Sequence, residues 1–238
     1  MTDEPDGSEG LVPDGLTVRV VSFYMDNISA EVLASQRAVL DAFRPQAFTF
    51  EQIRTARSHG EAIDEFVTGS AFDVIVIMDI DCVPLRRGAL SRLVGHAARG
   101  ELVGCVQRAN HIENGAHLYV SAFCMAFSKN LWQEIGRPSF QPTDRGDVGE
   151  ELTYACEAAG RKTLMLWPSF VESAHFDLTE GRRFGPNTEY EGLFLHGAEI
   201  RNPVNQGRFV ARCRAILAKA AGDADTDSSD PGASARYL

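Results

Sequence analysis

Two aspartates stand directly after a run of apolar residues near the middle of the first half of the chain. The run FDVIVIM covers residues 72–78, and Asp79 and Asp81 follow it, one residue apart. A continuous apolar run of this length is typical of a strand buried on both faces. Ligands of open α/β sheets bind beyond the carboxyl ends of the strands, so we expect both carboxylates to reach a ligand. Their alternative role is to cap the strand and begin a turn.

A pair of carboxylates in such a place predicts a site for a hard cation. Carboxylate oxygens select Mg²⁺ or Mn²⁺, and these ions bridge protein carboxylates to the phosphates of a substrate. Two further acids, Asp147 and Glu150, lie in RGDVGEEL (145–152) at the expected start of a helix. Either acid would suit a general base, whereas acids at a helix start also complement the helix dipole for stability alone.

Strands and helices alternate along the segment that must position these acids. The residue pattern predicts strands at 16–24, 47–51, 72–78, 102–108, 119–127 and 163–166, and helices at 30–43, 58–68, 88–98, 128–136, 147–160 and 208–220. The alternation implies a parallel, doubly wound sheet. Residues 168–207 are irregular, and a long segment of this kind is usually functional or disordered. Its many aromatic residues favour a functional segment.

The composition is that of one folded domain with polar ends. The chain has 238 residues, of which 44% are hydrophobic, enough to bury a full core. Residues 1–15 and 219–238 are mostly small, acidic or polar, so we expect disordered tails on either side of a domain at 16–218.

Charge and composition also limit the partners. The formal net charge of −10 argues against nucleic acid, because a negative surface repels phosphate. No apolar run approaches the roughly 18–20 residues that span a bilayer, which leaves at most peripheral membrane contact through the basic helix expected at 208–220. Five cysteines without CxxC spacing and an acidic N-terminus favour a reducing, cytoplasmic location.

The order of these motifs resembles the GT-A class of glycosyltransferases. The resemblance covers residues 17–205 and rests on VRVVSFY (18–24), SHGEAIDEF (58–66), FDVIVIMDIDCVPL (72–85), DVGEEL (147–152) and FLHGAEIR (194–201). It implies a GT-A-like, Rossmann-type α/β fold, in which helices flank a mixed, mainly parallel sheet in a single domain. It also implies metal-dependent transfer of a sugar from a nucleotide-diphosphate donor.

The resemblance assigns metal ligands and donor contacts to individual residues. Asp79 and Asp81 would hold Mn²⁺ or Mg²⁺, with His196 as the third ligand and His175 as the rival of His196. Neutral imidazole suits Mn²⁺ better than Mg²⁺. The residues expected to contact the nucleotide sugar are Ser22, Phe23, Tyr24, Arg57, His59, Gly60, Asp79, Ile80 and Arg201.

The resemblance also implies the groups that act on the acceptor. Asp147, or next Glu150, would take the proton of the attacking hydroxyl or bind the acceptor. A polar loop either touches the acceptor or is a solvated connection, and its residues are Asn110, His111, Asn114 and His117.

We therefore expect a glycosyltransferase that uses a UDP- or GDP-sugar and a saccharide or lipid-linked acceptor, in bacterial polysaccharide or glycoconjugate synthesis. The string DIDCV also fits the DxDx[TV] pattern of haloacid dehalogenase-like phosphohydrolases, which would use Asp79 as a nucleophile. A catalytically inactive nucleotide-sugar-binding protein is the third alternative. The sequence has no P-loop, no GxSxG motif and no GxGxxG motif after its first strand, which argues against P-loop ATPases and kinases, serine hydrolases and nicotinamide enzymes.

Overall fold

The computed structural model describes residues 12–13, 15–113, 116–179 and 181–227, with side chains as far as residue 222. Its helices are α1 (Ala30–Phe43), α2 (His59–Gly69), α3 (Ala89–Ala98), α4 (Lys129–Glu134), α5 (Glu150–Ala158) and α6 (Pro203–Asp227). Its strands are β1 (Val18–Tyr24), β2 (Thr49–Arg54), β3 (Val74–Met78), β4 (Cys82–Pro84), β5 (Leu102–Arg108), β6 (Leu118–Ser128), β7 (Thr163–Leu166), β8 (Pro168–Val171), β9 (Phe176–Thr179), β10 (Arg182–Phe184), β11 (Thr188–Tyr190) and β12 (Phe194–His196). Strands and helices alternate from β1 to β3, as the apolar spacing predicts.

The central sheet of the described chain has the strand order β2-β1-β3-β6-β5-β7. β1 is parallel to both β2 and β3, and β5 is parallel to β7. β6 is antiparallel to its two neighbours, β3 and β5, so it runs against the direction of the others. The sheet is therefore mixed and mainly parallel, which confirms the expected fold class and corrects the fully parallel sheet that the alternation alone implied.

Helices cover both faces of this sheet. Every residue of β3 is buried. Val74 and Val76 pack in one apolar cluster with Leu90 of α3, whereas Ile75 packs in a second cluster with Ile63 of α2. Because successive side chains of a strand point to opposite faces, the two clusters lie on opposite sides of the sheet. Burial on both faces is the reason for the continuous apolar run before the two aspartates.

The segment at 168–207, which we expected to be irregular, contains short strands in its described residues. β4, β12, β11 and β8 form a second sheet in that order, and β9 pairs with β10 in a hairpin. Strands of three or four residues are too short for the alternating pattern of a strand to be recognised in the sequence. This sheet bears on the site because His196 of β12 pairs with Cys82 of β4.

The predicted bounds of α1 to α4 are within two residues of the observed ones, whereas α5 starts at Glu150 instead of 147 and α6 starts at Pro203 instead of 208. α1 has the predicted bounds, and Ser58 with Glu61 forms a capping box at the start of α2. α6 begins at Pro203 and extends to Asp227, through residue 219, where the expected C-terminal tail would begin. Residues 1–11, 14 and 228–238 of the two expected tails lie outside the described residues.

No disulfide bond crosslinks the described part of the chain. The five cysteines all lie in the described ranges, and each is free and buried. None of the described helices is long and apolar enough to cross a membrane.

Candidate functional site

Asp79 and Asp81 lie on a tight turn that leaves the carboxyl end of β3. The backbone nitrogen of Asp79 donates to the carbonyl of Phe123 on β6 at 2.8 Å, and the backbone nitrogen of Cys82 donates to the carbonyl of Asp79 at 2.9 Å. The two side chains differ in exposure, since Asp79 is 30% exposed and Asp81 only 3%. The turn therefore presents one carboxylate to solvent and encloses the other.

The side chain of a buried glutamine, Gln36, forms hydrogen bonds to the backbone of this turn. The side-chain nitrogen of Gln36, on α1, donates to the carbonyls of Asp79 at 2.7 Å and Cys82 at 3.1 Å. It also lies 3.0 Å from the hydroxyl of Ser22, and its own oxygen accepts from Gln52 at 3.0 Å. Because carbonyl oxygens can only accept, these contacts fix the orientation of the amide. Gln36 thus connects α1 to both ends of the turn.

His196 completes a group of three metal-ligand side chains. One ligand atom from each of Asp79, Asp81 and His196 lies within 4.8 Å of the others. The imidazole stacks on the ring of Phe123 with centroids 3.8 Å apart and an angle of 5°. Its Nδ1 atom is buried and has no hydrogen-bond partner in the described ranges. His175 is not a member of this group. Its side chain is half exposed, and its Nδ1 atom lies 3.5 Å from the carboxylate of Glu199.

Burial shifts the pKa values of Asp81 and His196 in opposite directions. Burial, reinforced by the charge of Asp79, raises the pKa of Asp81 to about 8. Burial lowers the pKa of His196 to about 4, so its imidazole is neutral at pH 7. A neutral imidazole keeps a lone pair for a metal, and a cation beside Asp81 would favour the ionised carboxylate. Two carboxylates and one imidazole therefore fit a divalent cation such as Mn²⁺.

These three residues line a cavity of about 580 Å³. Arg201, predicted as a phosphate contact, lies in the same wall and has no carboxylate partner among the described residues. The cavity is lined by Asp79, Asp81, Gln107, Phe176, Phe184, His196, Ala198, Glu199, Ile200, Arg201 and Asn202. Its volume is in the range of small-ligand sites, so a ligand larger than a metal ion has room beside the cluster.

The residues predicted for donor binding at the end of β1 are not among those that line this cavity. Ser22 is fully buried, and its hydroxyl contacts Gln36 rather than the cavity. Phe23 is buried and packs edge to face on Phe66, with centroids 5.9 Å apart. Tyr24 and the buried Ile80 belong to the apolar cluster between α1 and α6. The structure therefore gives these four residues packing roles around the turn and does not bring them to the cavity.

The predicted segment before α2 reaches the site through His59. The Nε2 atom of His59 lies 3.2 Å from the outer carboxylate, Asp79. Arg57 instead pairs with Glu65 at 2.9 Å. Gly60 is needed for close packing, because a Cβ atom there would lie 2.7 Å from the Cα of Gln141. His59 is thus the member of this segment that contacts the candidate metal ligands.

Asp147 and Glu150 lie at the start of α5 in different surroundings. Glu150 is fully buried, with one carboxylate oxygen 2.7 Å from Nδ1 of His117 and the other accepting from the backbone of Asp147 at 2.9 Å. Asp147 is half-buried, and its carboxylate lies 3.4 Å from the hydroxyl of Tyr119. The same hydroxyl donates to Gln107 at 3.1 Å. Asp147 is therefore connected to the cavity through Tyr119 and Gln107.

The residues of the polar loop that we expected to touch the acceptor lie in different surroundings. His117 pairs with Glu150, and the side chain of Asn110 bonds to the carbonyls of Arg108 at 3.0 Å and Asp177 at 2.9 Å. His111 is exposed. Asn114 lies outside the described residues. Within the described part of the loop, Asn110 and His117 serve contacts of the protein itself.

Sequence reasoning missed several residues of the cavity wall. Phe176 and Phe184 come from the hairpin β9–β10, with ring centroids 5.3 Å apart, and their only signal is the aromatic content of the segment. Glu199 lies between two predicted residues, His196 and Arg201, and carries no separate signal. Gln107 had a usable signal, since it is a polar residue near the carboxyl end of a predicted strand.

Comparisons with known proteins give distant similarities of structure. No protein-family model matches the chain, and no curated protein matches it. Among solved structures the chain is similar to the mannosyltransferase PcManGT from Pyrobaculum calidifontis in complex with GDP-Man and Mn²⁺, at 15% identity and a TM-score of 0.47. The alignment covers 63% of this chain and 54% of that one, so this chain spans about half the length of the mannosyltransferase. The chain is also similar to A197 from STIV, at 13% identity and a TM-score of 0.38, over 62% of this chain and 81% of that one.

Proposed function

We propose that this protein is a metal-dependent glycosyltransferase of the GT-A class, which uses a nucleotide-diphosphate sugar as its donor. The observation that carries the proposal is the meeting of Asp79, Asp81 and His196, within 4.8 Å, in the wall of a cavity beyond the carboxyl end of β3. A hard-cation site beside room for a larger ligand is what a diphosphate requires. UDP- and GDP-sugars are the donor candidates, and the acceptor is a saccharide or lipid-linked saccharide of bacterial glycoconjugate synthesis in the cytoplasm.

Asp79, Asp81 and His196 would hold Mn²⁺ or Mg²⁺. The bound ion would supply positive charge against the diphosphate that leaves during transfer. Arg201, which lines the same cavity, would donate to phosphate oxygens through a planar, charge-assisted contact. His59 lies 3.2 Å from Asp79 and orients this more exposed carboxylate. In this proposal the diphosphate binds beside Arg201 and the three metal-binding side chains.

Asp147 acts as the general base of the transfer, and Glu150 positions it. Glu150 is fully buried and accepts from the backbone of Asp147 at 2.9 Å, so it cannot reach a substrate itself. Asp147 is less buried; it does not line the cavity itself and is connected to it through Tyr119 and Gln107. In this role Asp147 accepts the proton of the acceptor hydroxyl as that oxygen attacks the sugar, and Asp147→Asn slows transfer while nucleotide binding is kept.

The decisive experiment measures thermal stability with UDP, GDP, CDP and their sugars, with and without Mn²⁺. A ligand at about 100 times its Kd stabilises the native state by about 2.7 kcal/mol, which raises Tm by about 5–10 °C in a chain of this size. We expect one nucleotide to do so only with Mn²⁺. Asp81→Asn should abolish the shift, and the matched control Asp41→Asn, on a half-exposed side chain that faces Arg44, should keep it.

Three results would contradict the proposal. If no nucleotide gives an Mn²⁺-dependent shift in Tm, or if Asp81→Asn shows the same shift as wild type, the proposed metal site is refuted. Release of phosphate from phosphomonoesters, lost in Asp79→Asn, supports the phosphohydrolase instead. Nucleotide-sugar binding without transfer to any acceptor and without hydrolysis of the donor indicates the inactive binding protein.

A further inference from the structure

Gln107 presents a hydrogen-bond donor to the cavity beside the candidate metal site. It lies near the carboxyl end of β5, is half-buried, and lines the cavity together with Asp79 and Asp81. Its side-chain oxygen is the acceptor for two hydroxyl groups, those of Tyr119 at 3.1 Å and Ser121. Both hydroxyls lie on β6, the strand that pairs with β5.

The surroundings of Ser121 fix which way the amide of Gln107 points. Ser121 is buried, and its oxygen already lies 3.4 Å from the backbone nitrogen of Phe123 as an acceptor. The hydroxyl proton of Ser121 therefore needs an acceptor of its own, which the oxygen of Gln107 provides. With the oxygen turned toward β6, the amide nitrogen is turned away from it.

The amide nitrogen of Gln107 is consequently available to a ligand. It donates to no other group in the described part of the chain, and it is not among the buried atoms that lack a partner, so it reaches solvent. Phe176 and Phe184 line the same cavity with apolar rings. An amide donor beside aromatic rings suits a sugar, whose hydroxyl oxygens accept hydrogen bonds and whose C–H faces pack on apolar surface.

We propose that Gln107 is a specificity-determining residue, which donates a hydrogen bond to a hydroxyl of the sugar bound beside the metal. This inference rests on the proposed function and deepens it, because it assigns sugar recognition to a residue other than the groups proposed to bind the metal and the diphosphate. The hydroxyl belongs either to the transferred sugar of the donor or to the acceptor, and the chemistry of the contact is the same for both.

The test separates binding of the sugar from binding of the nucleotide. The probes are the nucleoside diphosphate that stabilises the wild-type protein with Mn²⁺, and the corresponding nucleotide sugar. In Gln107→Leu the affinity for the diphosphate should stay within about twofold of wild type, because the proposed contact of the amide is with a sugar hydroxyl and not with phosphate. If the hydroxyl belongs to the donor, loss of the hydrogen bond should lower the affinity for the nucleotide sugar about tenfold. If it belongs to the acceptor, the same loss should raise KM for the acceptor about tenfold.

Two further variants keep the outcome interpretable. Gln107→Glu retains an oxygen for the hydroxyls of Tyr119 and Ser121 but lacks the N–H group, so it should lose the same sugar discrimination with the β6 contacts preserved. Because its carboxylate adds negative charge to the cavity of Asp79 and Asp81, its affinity for the nucleotide sugar is compared with its own affinity for the diphosphate. Gln133→Leu makes the same substitution at an exposed position on α4 and should leave every binding constant unchanged.

Several outcomes would overturn the inference. Unchanged affinity for both the nucleotide sugar and the acceptor in Gln107→Leu refutes it directly. An equal loss of affinity for the diphosphate and for the nucleotide sugar shows that Gln107 supports the metal site and does not contact the sugar. If the wild-type protein shows no Mn²⁺-dependent nucleotide binding, the proposed function fails and this inference fails with it.

Discussion

Replacement of Gln36 by leucine tests whether the turn at the end of β3 depends on one buried amide. Gln36 is fully buried and donates to the carbonyls of Asp79 and Cys82 at 2.7 and 3.1 Å. Leucine has a similar volume but no donor, so both carbonyls lose this contact. A buried polar group left without its partner costs about 1–3 kcal/mol. The two carbonyls together predict a loss of about 2–6 kcal/mol, a large share of the roughly 5–15 kcal/mol that holds a domain folded.

The same substitution should also lower the affinity of the candidate metal site for Mn²⁺, which a substitution elsewhere in the core should not do. Residues that orient metal ligands change metal affinity by about 10–100-fold when they are replaced. We expect Gln36→Leu to bind Mn²⁺ at least tenfold more weakly, as measured by titration calorimetry, alongside urea unfolding for stability. Thr153→Val is the matched control, because it removes a fully buried hydroxyl that accepts from the backbone of Val120 at 3.1 Å, in α5 and away from the turn.

The reasoning is refuted if Gln36→Leu unfolds within about 0.5 kcal/mol of wild type and binds Mn²⁺ with wild-type affinity, since surface substitutions show effects of that size. Loss of stability with unchanged Mn²⁺ affinity would limit Gln36 to the core and remove its role in the turn. Thr153→Val should lose stability and keep its affinity for Mn²⁺.

The remaining predictions concern stability. Metal-free protein should lose stability as pH rises from about 6.5 to about 8, because the folded state retains a proton on Asp81, whose pKa is raised to about 8, whereas the unfolded state has already released it. Between about pH 4 and 6.5 the lowered pKa of His196 has the opposite effect on stability, so the net loss appears above pH 6.5. A flat urea midpoint would contradict this, and saturating Mn²⁺ should remove the slope. Gly104→Ala should cost about 1–3 kcal/mol or more, because its Cβ would lie 2.1 Å from the carbonyl of Cys124, whereas Gly69→Ala, with open space around it, should not destabilise. His117→Ala should cost about 1.5–3 kcal/mol in urea unfolding by removing the imidazole 2.7 Å from buried Glu150, and an unchanged midpoint would show that this pair contributes nothing.

Local sequence patterns determined the central elements and the position of the carboxylate pair. The run VIVIM is buried throughout as β3, and the apolar spacing at Ala30–Phe43 gave the bounds of α1. Asp79 and Asp81 follow β3 directly, so the sequence alone placed them at the carboxyl end of the strand. These features are predictable from local sequence, because the apolar periodicity of a strand or helix indicates which of its faces is buried.

Whether a polar residue faces a ligand or the core was not readable from the sequence. Ser22 stands at a strand end, where a ligand contact is reasonable, yet its side chain is on the face covered by α1 and meets Gln36. Gln36 itself lies in a helix of ordinary pattern, and only the packing of that helix against the turn gives its amide a role. The orientation of a polar side chain depends on its neighbours in space, which a single sequence does not state.

Only the tertiary structure shows which of the two candidate histidines lies beside the carboxylate pair. His196 and His175 lie 21 residues apart in a segment without clear periodicity. The pairing of β12 with β4 places His196 opposite Cys82, next to Asp81, whereas His175 faces Glu199. Strand register across more than a hundred residues arises from the packing of the whole domain. The sequence therefore determined the position of the two carboxylates and the strand that carries them, and the fold determined that His196 lies beside them.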